Sequence, residues 1–423
     1  MNQSHTANPV RRILIASLIG TTIEFFDFYI YATAAVLVFP KLFFPTASAT
    51  AATLQSFATF ALAFFARPLG AALFGHFGDR KGRKATLVAA LMTMGPSTVA
   101  IGLLPGYQTI GIMAPLLLCL FRFGQGLGLG GEWGGAVLLA IENAPQGKKS
   151  WYGMFPQLGA PIGLLFSTGI FFILGKTMQN QQFLDFGWRI PFIASALLVF
   201  VGLYVRLKIS ETPDFVNLIE KNERVKVPVK DVFTKHSKAI TLGTLATITT
   251  FLLFYLMNVF TLSWGTSALK YSKSSFLVAQ MISVLFFGIG IPMSALLADR
   301  YGRSNMLIIA TAFIFLFGLA FSPLFSTGSW VITTIFLSLG MFLMGLTYGP
   351  LGTALAGIFP AAVRYTGASL AFTLAGILGA SLTPALATKL ATSYGLNYVG
   401  YYLSFAAAIT FLALLAARSS MKE

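Results

Sequence analysis

The sequence predicts an all-α polytopic membrane protein, with twelve transmembrane helices in two pseudo-symmetric six-helix bundles. Three observations predict it. Hydrophobic residues are 56% of the 423 residues, charged residues only 10%, and mean hydropathy is +0.78. A soluble domain carries about 25% charged residues. Apolar runs long enough to span a bilayer, about 20 residues each, recur along the whole chain. A basic loop motif occurs twice, at Asp79 and at Asp299, after the second span of each half.

In chain order the spans are expected at 13–38, 54–75, 85–104, 111–141, 151–174, 188–207, 239–265, 276–298, 306–322, 331–357, 366–388 and 398–417. The fourth and tenth are long and glycine-rich, and a bend or tilt is expected there. The polar stretch 208–238 divides the chain into an N-terminal bundle (1–207), a central cytoplasmic loop and a C-terminal bundle (239–423).

The net charge of +16 raises the question of a nucleic-acid partner, and the topology answers it. Most Lys and Arg fall in the tails and alternate loops: Arg11, Arg12, the loop around Arg80 and Lys84, Lys148, Lys149, the stretch from Arg206 to Lys238, Arg300, Arg303, Arg364, Arg418 and Lys422. The other side holds Lys41, Lys176, Arg189, Lys270, Lys273 and Lys389, and Arg67 and Arg122 lie within spans. This is the positive-inside bias. It places both termini in the cytoplasm and the protein in a bacterial inner membrane, without a nucleic-acid partner. A lone Cys119 rules out a disulfide framework, and His5, His76 and His236 have no metal-ligand spacing. The first apolar run is too long for a signal peptide, so it is read as a retained span.

The repeated loops read "GHFGDRKGRK" (Gly75–Lys84) and "ALLADRYGRS" (Ala295–Ser304). Gly82 and Gly302 permit tight turns. Asp79 and Asp299 can accept hydrogen bonds from a helix N-terminus or an arginine. With Arg80, Arg83, Arg300 and Arg303 they form candidate latches that gate the inner face. A second echo, "QGLGLGGEWGGA" (Gln125–Ala136) against "MGLTYGPLGTAL" (Met344–Leu355), supports a duplicated half. Gly126, Gly128 and Gly131 also satisfy the dinucleotide pattern G-x-G-x-x-G. That fingerprint needs a preceding strand, whereas both flanks here are apolar helix. Gly126, Gly130 and Gly134 read instead as a ridge for close helix packing.

The loop motif and the fourth-span pattern Leu118, Arg122, Gln125, Gly126, Gly128 resemble signatures of the major facilitator superfamily. More narrowly, "EFFDF", "ARPLGAALFGHFGDRKGRK", "GGEWGGA", "GWRIPF" and "ETPDF" resemble the metabolite:proton symporter family. The resemblance implies alternating access between two six-helix bundles, usually acting on carboxylates or zwitterions. Ala295 and Ser304 depart from the full loop motif, so the second latch is expected to be the weaker. The chain stops at Glu423 without the coiled-coil tail of osmosensing members, and that role is not expected.

Charges inside the spans are the main functional signal. One at the bilayer centre costs about 2.5–3.5 kcal/mol on insertion scales, so it normally faces a cavity or a partner. Gly20, Glu24, Asp27 and Tyr31 recur at helical spacing on one face, expected to line a cavity while Phe25, Phe26 and Phe28 point elsewhere. Asp27, ahead of Glu24, is the candidate proton carrier, with Arg122 modulating it. A structural ion pair of either acid with Arg122 or Arg67 is the alternative. Arg67 or Arg122 suits a substrate carboxylate because arginine binds it with two parallel hydrogen bonds. Tyr31, Gln125, Glu132, Trp133, Tyr255, Asn258, Gln280 and Tyr348 complete the candidate substrate contacts; Glu132 also reads as an inner proton or gate site.

The sequence therefore points to a secondary transporter, not an enzyme: a monomeric, proton-coupled importer of a small polar metabolite, with an organic acid favoured over a zwitterion. No cofactor is expected beyond the proton gradient, and the surrounding partner is the lipid bilayer. A proton-coupled exporter has the same parts, and a uniporter and a non-transporting sensor are further readings; a membrane enzyme, the alternative of a different class, would need a nucleophile–base or metal cluster that the sequence does not show.

Overall fold

The structure is a computed structural model that describes residues 10–208 and 228–421, apart from the side chains of Val10, Lys81 and Arg83. The "ETPDF" stretch lies outside the described residues. Twelve helical spans are present, as the hydropathy pattern predicts: α1 (Val10–Leu37), α2 (Ala49–Lys81), α3 (Arg83–Leu103), α4 (Met113–Ile141), α5 (Lys149–Thr177), α6 (Arg189–Leu207), α7 (Ser237–Ser267), α8 (Lys273–Tyr301), α9 (Arg303–Leu319), α10 (Trp330–Ile358), α11 (Ala361–Tyr394) and α12 (Leu396–Ala417). Eleven are long and apolar enough to cross a membrane; α9 is shorter and is followed by the helical turn Phe321–Phe325.

Local chemistry sets the ends. Ser48, Ser272 and Ser329 cap α2, α8 and α10 by accepting hydrogen bonds from the backbone N–H of Ala51, Ser275 and Ile332, satisfying donors that a first turn leaves open. On the opposite, basic face, Gly82 (φ 119°) and Gly302 (φ 94°) turn the chain from α2 into α3 and from α8 into α9. A side chain at either would meet strain in that left-handed region.

Helices α4 and α10, the long glycine-rich pair, are each a single continuous α-helix. The irregularities fall elsewhere, as π-helical turns at Phe183–Gly187 before α6, Leu256–Phe260 within α7 and Ile377–Ser381 within α11. Part of the predicted central loop is also helical: Pro228–Lys235 buries Pro228 and Val232 and rests on α2, α7 and α11.

Glycine lets the helices within each half approach backbone to backbone. A Cβ at Gly130 would stand 2.0 Å from the Arg67 carbonyl oxygen, and one at Gly70 would stand 2.0 Å from that of Leu127. The same arrangement joins α8 and α10, where a Cβ at Gly290 would lie 2.7 Å from the Phe342 carbonyl and one at Gly345 would lie 2.6 Å from that of Phe287. The G-x-G-x-x-G residues are thus the middle of a continuous helix, serving packing. Gly130→Ala is expected to force α2 and α4 apart and destabilise the bundle by about 1–3 kcal/mol. A lowered unfolding temperature in detergent, compared with Gly169→Ala, checks this; at Gly169 the nearest atom, Met281 Sδ, would be 3.8 Å away.

The halves meet along α5, which packs on α8 and α10, and along α2, which packs on α11.

Candidate functional site

An enclosed cavity lies where these contacts converge. Glu24, Phe25 and Tyr29 of α1, Arg67 of α2 and Trp133 of α4 line it from the N-terminal half. Phe254 and Tyr255 of α7, Tyr348 of α10, and Phe372 and Thr373 of α11 line it from the other. Aromatic pairs cross the seam on both sides. Toward the basic face, Trp133 stacks flat on Phe372 with centroids 3.6 Å apart. Toward the opposite face, Tyr29 meets Phe254 at 5.2 Å, and Tyr255 meets Phe64 at 5.3 Å and Phe60 at 5.5 Å. The remaining space is about 30 Å³, room for a water or two. A metabolite needs several hundred cubic ångströms, so binding requires the halves to separate.

Residues of this wall carry unsatisfied polar groups. Glu24 Oε2, Arg67 Nε and the Tyr348 hydroxyl are buried without a hydrogen-bond partner. Burying such groups unmatched is costly, and a polar ligand would relieve it. Arg67 is held by ring faces, its guanidinium carbon 4.3 Å from the Phe28 centroid and 4.5 Å from that of Phe64.

The polar stripe of α1 does not face the cavity as a unit. Glu24 reaches it, but Asp27 and Tyr31 turn into the N-terminal bundle and Gly20 packs against Arg206. Asp27 Oδ1 accepts a 2.6 Å hydrogen bond from Ser195 of α6, and Tyr31 donates to Thr59 Oγ1 at 2.7 Å. The wall of α1 continues from Glu24 through Phe25 and Tyr29, the side expected to pack elsewhere. Residues three apart differ by about 60° around a helix, enough to put Glu24 and Asp27 on opposite sides of the cavity's edge.

Arg122 is also sequestered, and among the described residues it pairs with neither acid. Its guanidinium carbon lies 3.9 Å from the Tyr31 centroid, 4.2 Å from Phe28 and 5.0 Å from Phe60. Its Nη1 donates to Gln125 Oε1 at 2.9 Å, and Gln125 Nε2 donates to Thr98 Oγ1 at 2.8 Å. Phe28 thus lies against both arginines, its π system attracting each. Asn258 and Gln280 do not line the cavity. Gln280 Nε2 donates to the Asn258 carbonyl at 2.7 Å and Asn258 Nδ2 to that of Phe254 at 2.9 Å, bracing the π turn of α7.

Three residues that sequence reasoning passed over bear on the site. Arg206, counted there as a loop cation, is 4% exposed and forms an ion pair with fully buried Glu132. Ser195 holds Asp27. Gln157 accepts from Trp133 Nε1 at 3.0 Å and donates to the Tyr348 carbonyl at 2.9 Å, tying the aromatic floor to the opposite half. No charge or repeat marks Ser195 or Gln157; for Arg206 the available signal was the apolar run "LLVFVGLYV" that precedes it.

The duplicated loops close the basic face symmetrically. Asp299 accepts hydrogen bonds from the backbone N–H of Ser150 and Trp151 at the start of α5, both 2.9 Å. Asp79 accepts from Thr366 near the start of α11, through its N–H at 3.3 Å and its hydroxyl at 2.6 Å. Tyr365 adds a hydrogen bond across the seam to the Gly131 carbonyl. Of the loop cations, Arg80 lies 3.4 Å from His76 Nε2, Arg300 lies over Tyr301 and Arg303 Nη1 donates to the Thr353 carbonyl at 3.5 Å; the Arg83 side chain lies outside the described residues.

Comparison with known proteins agrees with this architecture. Residues 17–384 match the Major Facilitator Superfamily. The inner membrane metabolite transport protein YhjE of Escherichia coli K12 is 55% identical, over 96% of this chain and 94% of that protein. The shikimate transporter of the same organism is 34% identical, over 97% and 95%. A proline/betaine transporter of Salmonella typhimurium is 34% identical, over 98% and 84%. Among solved structures, the proton:xylose symporter XylE bound to 6-bromo-6-deoxy-D-glucose shares the fold, with TM-score 0.76, 17% identity, and 98% and 96% of the two chains covered. The family match over residues 17–384 and the relatives that it covers nearly end to end make the chain a transporter, not an enzyme, and a member of the major facilitator superfamily.

Proposed function

We propose that this protein is a proton-coupled importer of a small carboxylate-bearing metabolite, working by alternating access as a monomer in the bacterial inner membrane. The basic face, with both termini, is cytoplasmic in this reading; the two bundles (1–207 and 239–423) move about the cavity, and no cofactor is needed beyond the proton gradient. One observation carries the proposal: Glu24 and Arg67 line the same closed cavity, each with an unpartnered polar atom.

The charge balance explains the coupling. The N-terminal half buries Glu24, Asp27 and Glu132 against Arg67, Arg122 and Arg206, so this layer is neutral when all six are ionised. A carboxylate arriving at Arg67 would leave one uncompensated negative charge in a low-dielectric site, which is costly. A proton taken up by Glu24 restores neutrality, so anion and proton travel together. Glu24 takes precedence over Asp27 here because it faces the cavity, whereas Asp27 is held by Ser195. A zwitterion is the second reading, favoured by the aromatic wall of Tyr29, Trp133, Phe254 and Phe372, which attracts cations.

A thermal-shift screen of small mono- and dicarboxylates and zwitterions, followed by counterflow on the hits, identifies the substrate class. In proteoliposomes the expected hit is an acid whose uptake rises when the outside is acidified and collapses with an uncoupler. Uptake indifferent to the uncoupler overturns the proposal.

A further inference from the structure

The buried pair Arg206–Glu132 lies outside the cavity yet close to its acid. Arg206 rises from the basic-face end of α6, is 4% exposed, and donates through Nη1 to the Leu87 carbonyl at 3.0 Å while pairing with Glu132 of α4. Its other flank lies against α1 at Gly20, where a Cβ would sit 3.1 Å from Nη2. Gly20 is four residues, about one helical turn, from Glu24, so the guanidinium lies one turn below the cavity acid on the same face of α1, where glycine allows its close approach.

We propose that Arg206 is a shared counter-cation for two buried carboxylates, Glu132 and Glu24, and that its allegiance sets when Glu24 gives up its proton. This rests on the proton-coupled reading above. With Arg206 on Glu132, as here, Glu24 keeps its proton while substrate is carried. When the basic face opens and Glu24 loses its proton to water on that side, the new carboxylate draws Arg206 past Gly20 toward it. Arg206 keeps its own protons throughout, and Glu132 stays ionised, exposed to water while the basic face is open. When Glu24 is protonated again from the opposite face, Arg206 returns to Glu132, and one proton has crossed per cycle. Arg206 is thus a positioning residue, acting on substrate only through Glu24.

The other groups around the two sites are few. Glu24 is faced by Tyr29 on its own helix, Arg67 on α2, Tyr255 on α7 and Tyr348 on α10. Arg206 is faced by Glu132, Glu24 and Tyr365. Asp27, held by Ser195, does not compete for Arg206, and Arg122, held by Gln125, does not compete with it for Glu24.

The test is the pH profile of uptake in proteoliposomes, using a substrate found by the screen above. Glu132→Gln releases Arg206 to Glu24 permanently. The pH for half-maximal uptake is expected to fall by about one unit or more, as for a carboxylate gaining a cation within about 4–6 Å. Arg206→Gln combined with Glu132→Gln removes the whole pair without stranding a buried charge, and the midpoint is expected to rise above that of the unaltered protein. If both variants take up substrate with the unaltered profile, Arg206 is only structural and the inference fails. If the unaltered protein transports but ignores the uncoupler, the proton-coupled reading fails first. If Glu132→Gln does not fold, the double variant alone decides: an upward midpoint supports the inference and an unchanged one overturns it.

Discussion

Glu24→Gln is expected to abolish accumulation driven by a pH gradient while leaving counterflow of the same substrate intact. One proton per substrate across a gradient of about two pH units sustains about hundredfold accumulation, because each unit is worth about 1.4 kcal/mol. A carrier with an amide at position 24 has no proton to exchange, so the ratio falls to about one with the membrane potential clamped at zero. Counterflow needs no net proton movement, and the amide preserves the size of the side chain. Asp27→Asn is expected to slow transport without uncoupling it, since Asp27 bonds Ser195 within the N-terminal bundle. Hundredfold accumulation surviving in Glu24→Gln, or disappearing only in Asp27→Asn, would move the proton site off the cavity wall.

The second large effect concerns the latches. Replacing both Asp79 and Asp299 by Asn removes the negative charge from hydrogen bonds that cross the seam at both ends of the pseudo-symmetry. Hydrogen bonds to a charged group contribute about 1.5–3 kcal/mol, against about 1 for a neutral pair. Losing about 2 kcal/mol in total shifts the balance toward the open basic face about thirtyfold. Ser150 is fully buried at the seam, so a cysteine there, in a Cys119→Ser background, reports the change. Alkylation by an impermeant maleimide from the basic-face side is expected to speed up by that factor in the double variant. An unchanged rate would mean that Asp79 and Asp299 do not hold the face shut.

These two predictions draw differently on the sequence. The latches were legible because a short motif recurs in register after the second span of each half, and a carboxylate there has few partners except a helix start. Hydropathy located all twelve spans because a bilayer imposes a minimum length on every apolar run. The cavity was less legible. Helical periodicity shows which residues share a face but not where that face points, so Glu24 and Asp27 looked equivalent until neighbouring helices separated them. Arg122 looked like a ligand for either acid, yet aromatic rings and Gln125 enclose it. Arg206 was misread because a basic residue at a span end is the usual topology signal, and only tertiary packing turns it inward. Gln157 joins three helices through one amide, and nothing in its sequence neighbourhood marks it.

The π turns at Leu256–Phe260 and Ile377–Ser381 have a consequence for how chain length constrains this protein. Each carries one residue more than an α-helical turn spanning the same rise. Deleting one residue within either turn would restore regular winding there and leave the remainder of the span in place. Elsewhere in a span, the same deletion would rotate everything beyond it by about 100° and scramble its contacts. These two sites are therefore where α7 and α11 tolerate a change in residue number, and where a shortened helix would test whether the slack itself is needed for transport.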